Sequence, residues 1–370
     1  MSVPLVDLRA QQTEIDDEVR AGLDEVFANT AFIGGKAVAG FEEAYADALG
    51  IRHCVGVANG TDALELALRA VGVGRDDEVI LPANTFIATA EAVSRIGARP
   101  VLVDVDPEFL LIDPERVAES IGPNTKAVIP VHLFGQTAPV EKIAPIADAH
   151  GAVIVEDAAQ SQGATRFGRS AGGLGAVAAT SFYPGKNLGA AGDAGAVLTD
   201  DPAVAARVRT ISAHGSDRKY VHDVIGMNSR LDTVQAVVLL AKLRRLERWN
   251  ELRRQAARRY TELLGDVPEV QLPAVAPGND DVWHLYVIRV DERDRVLEAL
   301  HSDGIGAGIH YPYPVHLTGA YAGLGLGPGS FPVAERAARR ILSLPLYPHI
   351  TQDQQRRVVD SVRAAVRSRR

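Results

Sequence analysis

Six lysines occur in the chain, and Lys186 is the one placed for chemistry. It closes the stretch Ser181-Phe-Tyr-Pro-Gly-Lys, 29 residues beyond Asp157, which follows the apolar run Ala152-Val-Ile-Val and its adjoining Glu156. An acid at the end of a buried strand with a lysine on a later loop suggests pyridoxal 5'-phosphate. The lysine would hold the cofactor aldehyde as a Schiff base. The aspartate would keep the pyridine nitrogen protonated, so that the ring accepts electrons from a carbanion. The other lysines fit this role poorly. Lys126 opens a strand, Lys142 and Lys242 lie in helical patterns, Lys36 follows Gly-Gly, and Lys219 sits in a charged loop. A lysine in a glycine-rich loop can also simply face solvent, so the rest of the site has to support the assignment.

Further residues gather around this pair. Asn59-Gly60-Thr61-Asp62 joins a strand to a helix, where free backbone N–H groups favour a phosphate. The alternative is a plain helix cap by Thr61 or Asp62. Ser181 is close enough to Lys186 to serve the same phosphate, or it is a satisfied strand-end hydroxyl. Phe86 ends a strand in a polar loop and suits stacking on an aromatic ring, or ordinary packing. Gln160, three residues past Asp157, reaches toward a cofactor hydroxyl or is a surface amide. Glu156-Asp157 as a magnesium pair finds no G-x-x-x-x-G-K-[ST] loop to accompany it. Gly173-Leu-Gly175-Ala-Val-Ala178 matches G-x-G-x-x-A loosely but follows no clear strand, which argues against a dinucleotide site. His310 and His316 lie in a proline-punctuated loop, better suited to substrate contact or loop hydrogen bonds than to a metal, and no metal site is expected.

The elements that must position these groups follow from the apolar pattern. Runs at Cys54-Val57, Glu78-Leu81, Pro100-Val105, Ala127-Val131, Ala152-Glu156, Thr180-Tyr183 and Gly195-Thr199 alternate with helical segments at 62–71, 88–96, 114–121 and 140–150. Strands without strict alternation, separated by helices, imply a mostly parallel α/β sheet covered on both faces. Its ligands bind at the carboxyl ends of the strands, where the residues above fall. A long helix is expected at 233–264. A second unit follows, with a strand at 283–290, a helix at 293–303, part of a strand at 309–311, and a last helix at 352–367 opened by a Thr351/Gln354 capping box. The division reads as a large domain, 1–249, and a small α+β domain, 250–370. A net charge of -8 argues against nucleic acid as the main partner. The single Cys54, in an apolar run, allows no internal disulfide. No apolar stretch is long enough for a membrane and no signal-peptide core is present, so a cytoplasmic location is expected.

Taken together, Asn59-Gly-Thr-Asp-Ala-Leu64, Glu156-Asp-Ala-Ala-Gln160, Ser181-Phe-Tyr-Pro-Gly-Lys-Asn-Leu-Gly189, Gly226-Met-Asn-Ser-Arg230 and His310-Tyr-Pro312 occur in family order. The chain resembles the DegT/StrS-type sugar aminotransferases, fold type I pyridoxal phosphate enzymes acting on nucleotide-linked keto sugars. The resemblance covers nearly the whole chain, from Val3-Pro-Leu-Val-Asp7 onward. It implies Lys186 as the Schiff-base lysine, Asp157 as the pyridinium partner, Phe86 as the stacking ring and Gln160 as the contact to the cofactor hydroxyl. It further implies Gly60, Thr61 and Ser181 at the phosphate, with Asn228 reaching it from the neighbouring subunit of a homodimer with shared sites.

The same resemblance implies transfer of the amino group from L-glutamate, through the pyridoxamine form, to a keto sugar. Related dehydratases carry histidine in place of the lysine, so Lys186 disfavours that variant. The loop around Lys186 looks more like the C-3 enzymes of deoxysugar pathways than the C-4 enzymes, which tend to show histidine where Tyr183 stands. The expected substrate is a dTDP-linked 3-keto-6-deoxyhexose, the alternative a 4-keto sugar linked to dTDP or UDP. Tyr183, His310 and Tyr311 are candidates to border the hexose. Lys219, Tyr220 and His222, from the partner, are candidates for the diphosphate, or a charged surface loop. The rival of another class is a non-catalytic regulatory protein, which would be expected to lose Lys186 or Asp157.

Overall fold

Short runs rich in Val, Ile and Ala, unbroken by polar alternation, form strands that are buried on both sides. The computed structural model describes residues 2–368. Its main sheet has seven strands: β1 (His53–Val57), β2 (Glu78–Pro82), β3 (Arg99–Val103), β4 (Thr125–Val128), β5 (Val153–Asp157), β6 (Val177–Ser181) and β7 (Gly195–Thr199). Their order is β1-β7-β6-β5-β4-β2-β3. β7 runs antiparallel to both of its neighbours and every other pairing is parallel, so the mostly parallel sheet is observed. The expected strand at Thr180-Tyr183 begins earlier and ends at Ser181, which frees Tyr183 to leave the sheet.

The helix Thr233–Leu264 forms as expected and runs past several cores. Its Ala236, Leu239 and Leu246 pack with Phe41, Tyr45 and Phe182; Trp249 packs with Ile15 and Val19. Farther along, Ala256, Ala257, Tyr260 and Leu264 face a three-stranded antiparallel sheet of Val270–Gln271, Tyr286–Val290 and Ile341–Leu344. The capping box of the last helix is formed by Thr351 and Gln354. Residues 309–311 are not strand. Only Gly308 bridges to Ser343, after which Pro312 and Pro314 carry the chain away from the sheet edge. Helices at Asp16–Ala28, Gly35–Leu49, Pro202–Ser212 and Pro332–Arg340 were not expected from the apolar pattern. Among the described residues, no helix is long and apolar enough to cross a membrane.

Alternation along β5 sends Glu156 and Asp157 to opposite faces of the sheet, so they do not form a magnesium pair. Glu156 is fully buried and accepts hydrogen bonds from the backbone N–H groups of Gly172 (2.8 Å), Leu174 (2.7 Å) and Gly175 (2.7 Å). The loose G-x-G run is therefore the cradle of this carboxylate. His132 completes the cradle. Its Nδ1 accepts from the Ala138 N–H at 3.0 Å, so its Nε2 carries the proton and donates to Glu156 at 2.8 Å. A buried carboxylate stripped from such partners leaves them all unpaired. Glu156→Ala is expected to lower the unfolding free energy by at least about 1–3 kcal/mol, read by denaturant titration, the cost of leaving a buried donor without its acceptor. A loss below about 1 kcal/mol, the scale of a single exchanged hydrogen bond, would show that the cradle does not hold β5 in place.

Candidate active site

At the carboxyl ends of the strands lies a cleft of about 790 Å³. Gly60, Thr61, Phe86, Asp157, Gln160, Ser181, Tyr183, Lys186, His310 and Tyr311 all line it. The backbone is drawn together at its floor. A Cβ on Gly60 would stand 2.5 Å from the Ser181 Cβ, and one on Gly195 would stand 2.5 Å from the Asn59 carbonyl, so only glycine permits the approach.

The helix Gly60–Ala70 is capped by Asn59, whose side chain accepts from the Asp62 N–H at 2.8 Å, and not by Thr61 or Asp62. Among the described residues, the N–H groups of Gly60 and Thr61 and the Thr61 hydroxyl are left without a protein partner. Ser181 accepts a hydrogen bond from the Tyr183 N–H, and its own proton is uncommitted. Two amides, two hydroxyls and a helix N-terminus form a donor set suited to a phosphate dianion.

Asp157 is buried, with one oxygen accepting from the Thr89 hydroxyl at 2.7 Å and the other from the Ala159 N–H at 3.2 Å. Thr89 in turn pairs with Thr85 at 2.8 Å. Lys186 shares the cleft. Burial pushes its pKa down to about 8 against the opposing pull of the Asp157 charge. Gln160 is buried rather than a surface amide. It accepts from the Phe134 N–H at 2.7 Å and donates to the Tyr311 hydroxyl at 3.0 Å. The Tyr311 ring stands 5.3 Å from Phe86, which is half exposed to the cleft. Burial raises the Tyr311 pKa and holds the hydroxyl neutral. His310 bonds through Nδ1 to the Ser343 hydroxyl at 2.8 Å, and burial, then Lys186, lower its pKa to about 4. His316 lies elsewhere, buried against Glu335.

The structure does not bring Asn228, Lys219, Tyr220 or His222 to this cleft within one chain. They occupy an exposed loop, with Lys219 over the Tyr220 ring and His222 bonded to the His214 carbonyl. Several residues with a place in the site went unread in the sequence. Thr89 follows Thr85 by one helical turn, a spacing that could have flagged it. Asn187, next to Lys186, is tied to Asn250, Val282 and His284 and anchors the lysine loop to the long helix and to the chain at 282–284. His284 carried no signal beyond lying in a segment read as strand.

Known proteins are similar over the full length. A model of the DegT/DnrJ/EryC1/StrS aminotransferase family matches residues 13–363. The erythromycin biosynthesis sensory transduction protein EryC1 of Saccharopolyspora erythraea is 47% identical, covering 98% of this chain and 100% of its own. The dTDP-3-amino-3,4,6-trideoxy-alpha-D-glucose transaminase of Streptomyces venezuelae is 46% identical, covering 98% and 95%. The crystal structure of S. venezuelae DesV in complex with a ketimine intermediate superposes with a TM-score of 0.97 at 45% identity, covering 100% of both chains.

Thr89→Val is expected to leave one Asp157 oxygen unpaired and to cost about 1–3 kcal/mol of stability by denaturant titration. Unchanged stability would mean that Asp157 does not depend on this hydroxyl.

Proposed function

The chain belongs to the DegT/DnrJ/EryC1/StrS aminotransferase family, and on that premise we propose that it moves an amino group from L-glutamate to C-3 of a dTDP-linked 3-keto-6-deoxyhexose. The observation that supports this most is the meeting of Lys186, Asp157 and the uncommitted donors of Gly60, Thr61 and Ser181 in one cleft. That donor set fits pyridoxal 5'-phosphate, with the phosphate at the helix N-terminus and Asp157 at the ring nitrogen. Bound there, the cofactor supplies an electron sink for the carbon that gains or loses nitrogen.

The chain's own groups do the rest. Asp157, fixed by Thr89, keeps a negative charge where the ring nitrogen needs its proton. Phe86 covers one ring face, and Gln160, held by Tyr311, meets the ring hydroxyl. Lys186 takes the proton from the amino donor's α-carbon, returns it on the far side of the transfer, and reverses the sequence with the sugar. A pKa near 8 suits that work, because amine and ammonium are both populated around neutral pH. Tyr183, His310 and Tyr311 border the sugar. The relatives' names support C-3, as does tyrosine at 183 in place of histidine; the names of the more similar transaminases carry dTDP, those of two more distant ones UDP.

Asn228 is assigned to the phosphate of a partner subunit in a homodimer, and Lys219, Tyr220 and His222 to the partner's nucleotide diphosphate. The apolar exposure of Val221, Val224 and Ile225 on that loop supports burial against a second copy. The large domain is placed at 1–249 and the small one at 250–370, with the separate core around Tyr260, Tyr286 and Leu344 in support. A cytoplasmic location fits a route supplied with glutamate and nucleotide sugars. The names of two relatives, a sensory transduction protein and a pleiotropic regulatory protein, favour a regulatory reading; retention of both Lys186 and Asp157 weighs against it.

Lys186→Ala should abolish turnover with the fold retained, and mixing it with an inactive Asn228 variant should partly restore activity through hybrid dimers. Near wild-type transamination by Lys186→Ala would refute the lysine assignment, and an active monomer would refute the shared site. In the chain stripped of cofactor, acylation of the Lys186 amine should quicken with rising pH through a midpoint near 8, as the ammonium loses its proton; a midpoint above about 10 would show that the amine is not buried. Product NMR decides the carbon: nitrogen on C-4, or no turnover of any 3-keto sugar, would overturn the C-3 reading.

A further inference from the structure

Threonine hydroxyls inside the helices of this chain share a habit. Thr13, Thr210 and Thr261 each send their proton back to the carbonyl four residues earlier, at 3.0, 3.0 and 3.1 Å. Thr89 departs from it. Its helix, Ala88–Arg95, has only just begun, and the residue four earlier, Thr85, lies before it. Thr89 meets the Thr85 hydroxyl at 2.8 Å and keeps its own proton for Asp157, at 2.7 Å.

The sense of these bonds follows from the acid. An ionised carboxylate only accepts, so Thr89 donates to Asp157 Oδ2, and a hydroxyl has a single proton to give. The bond between the two threonines must therefore run from Thr85 to Thr89. The reverse order would need a proton on Asp157. Both threonines are almost fully buried, and both line the cleft. Successive hydrogen bonds of one sense polarise each other, so the donor at the far end strengthens the bond at the acid.

The hydroxyl pair also spans the turn that carries Phe86. The Thr89 N–H donates to the Phe86 carbonyl at 3.2 Å, so side chains and backbone close this turn together. One short segment, 85–89, thus touches Asp157 at one end and presents the half-exposed Phe86 ring to the cleft at the other.

We propose that Thr85 is a positioning residue for Asp157: its hydroxyl, donated to Thr89, fixes the Thr89 proton on the acid and sets the register between the acid and Phe86. The order of the bonds is a property of the chain alone. Its use, to hold a cofactor ring at both the acid and the stacking side chain, rests on the aminotransferase reading.

Thr85→Val keeps the shape and removes the donor, whereas Thr85→Ser keeps the donor. In the full-length chain stripped of cofactor, the carbon NMR signal of the Asp157 carboxyl should move on Thr85→Val and stay near its wild-type position on Thr85→Ser. An unmoved signal in Thr85→Val, or a wild-type signal typical of a protonated acid at neutral pH, overturns the proposal. With pyridoxal 5'-phosphate added, Thr85→Val should bind it about fivefold more weakly, the scale of one neutral hydrogen bond, and Thr89→Val about tenfold or more, the scale of one to a charge. The losses should not add: once Thr89 is replaced by valine, Thr85→Val should cost no more than about twofold further. Nitrogen NMR of the bound cofactor should show its ring nitrogen displaced in both variants, which loosened packing alone would not do. Additive losses, an unmoved ring nitrogen, or no rescue by Thr85→Ser overturn the proposal. If the wild-type chain takes up no pyridoxal phosphate, the proposed function fails, and the carboxyl signal decides the order of these bonds by itself.

Discussion

Two adjacent carboxylates at the end of a central strand, one on each face, set the terms for much of this structure. Neither can be buried unpaired, so each recruits donors from elements far away in sequence. Glu156 draws in the loop at 172–175 and His132, which brings β6 into place beside β5. Asp157 draws in Thr89, which fixes the first turn of the helix Ala88–Arg95 against the cleft. The first arrangement is scaffold and the second is site. They depend on the same strand end and on the period-two alternation that keeps them apart.

The lysine loop obeys a similar rule. Asn187 is buried, and its amide is fully engaged with Asn250, Val282 and His284, so its neighbour Lys186 is held through it as well as by its own N–H, which donates to the Tyr183 carbonyl at 2.8 Å. Asn250 also donates to the Gln162 carbonyl, while Gln162 donates to the Thr180 hydroxyl and the Ser181 carbonyl. One amide network thus ties the long helix, the end of β6 and the reactive amine together. A side chain that must move freely is best placed on a backbone that does not move.

The sheet was legible because buried parallel strands read as unbroken apolar runs, and the long helix because its leucines recur with arginines between them. The meeting of Asp157, Lys186 and the Gly60-Thr61 turn in one cleft was legible because each sits in a local signature at a strand end. Ile309-Tyr311 was misread because a short apolar-aromatic run looks alike in a strand and in a proline-bounded loop. Thr89, Asn187 and His284 were missed for another reason. Each acts through a partner distant in sequence; the Thr85/Thr89 spacing is the one local hint, and nothing local distinguishes a histidine before Leu-Tyr-Val from a packing residue. The Gly173-Leu-Gly175 run shows the reverse case, a motif whose backbone amides do hold an anion, but one supplied by the protein itself.

The helix Thr233–Leu264 has 32 residues and so extends about 48 Å at the usual rise, longer than a small domain is wide. Its first half serves two apolar clusters on different faces, Ala236, Leu239 and Leu246 with Phe41 and Tyr45, and Val238, Ala241 and Trp249 with Ile15 and Val19; its second half serves a third, with Tyr286 and Leu344. Helical hydrogen bonding is cooperative along the chain, so melting a turn in one cluster weakens its hold on the next. The cores are therefore mechanically in series, and heat or denaturant should dissolve them in a single transition. A protease would find no soft joint along this helix.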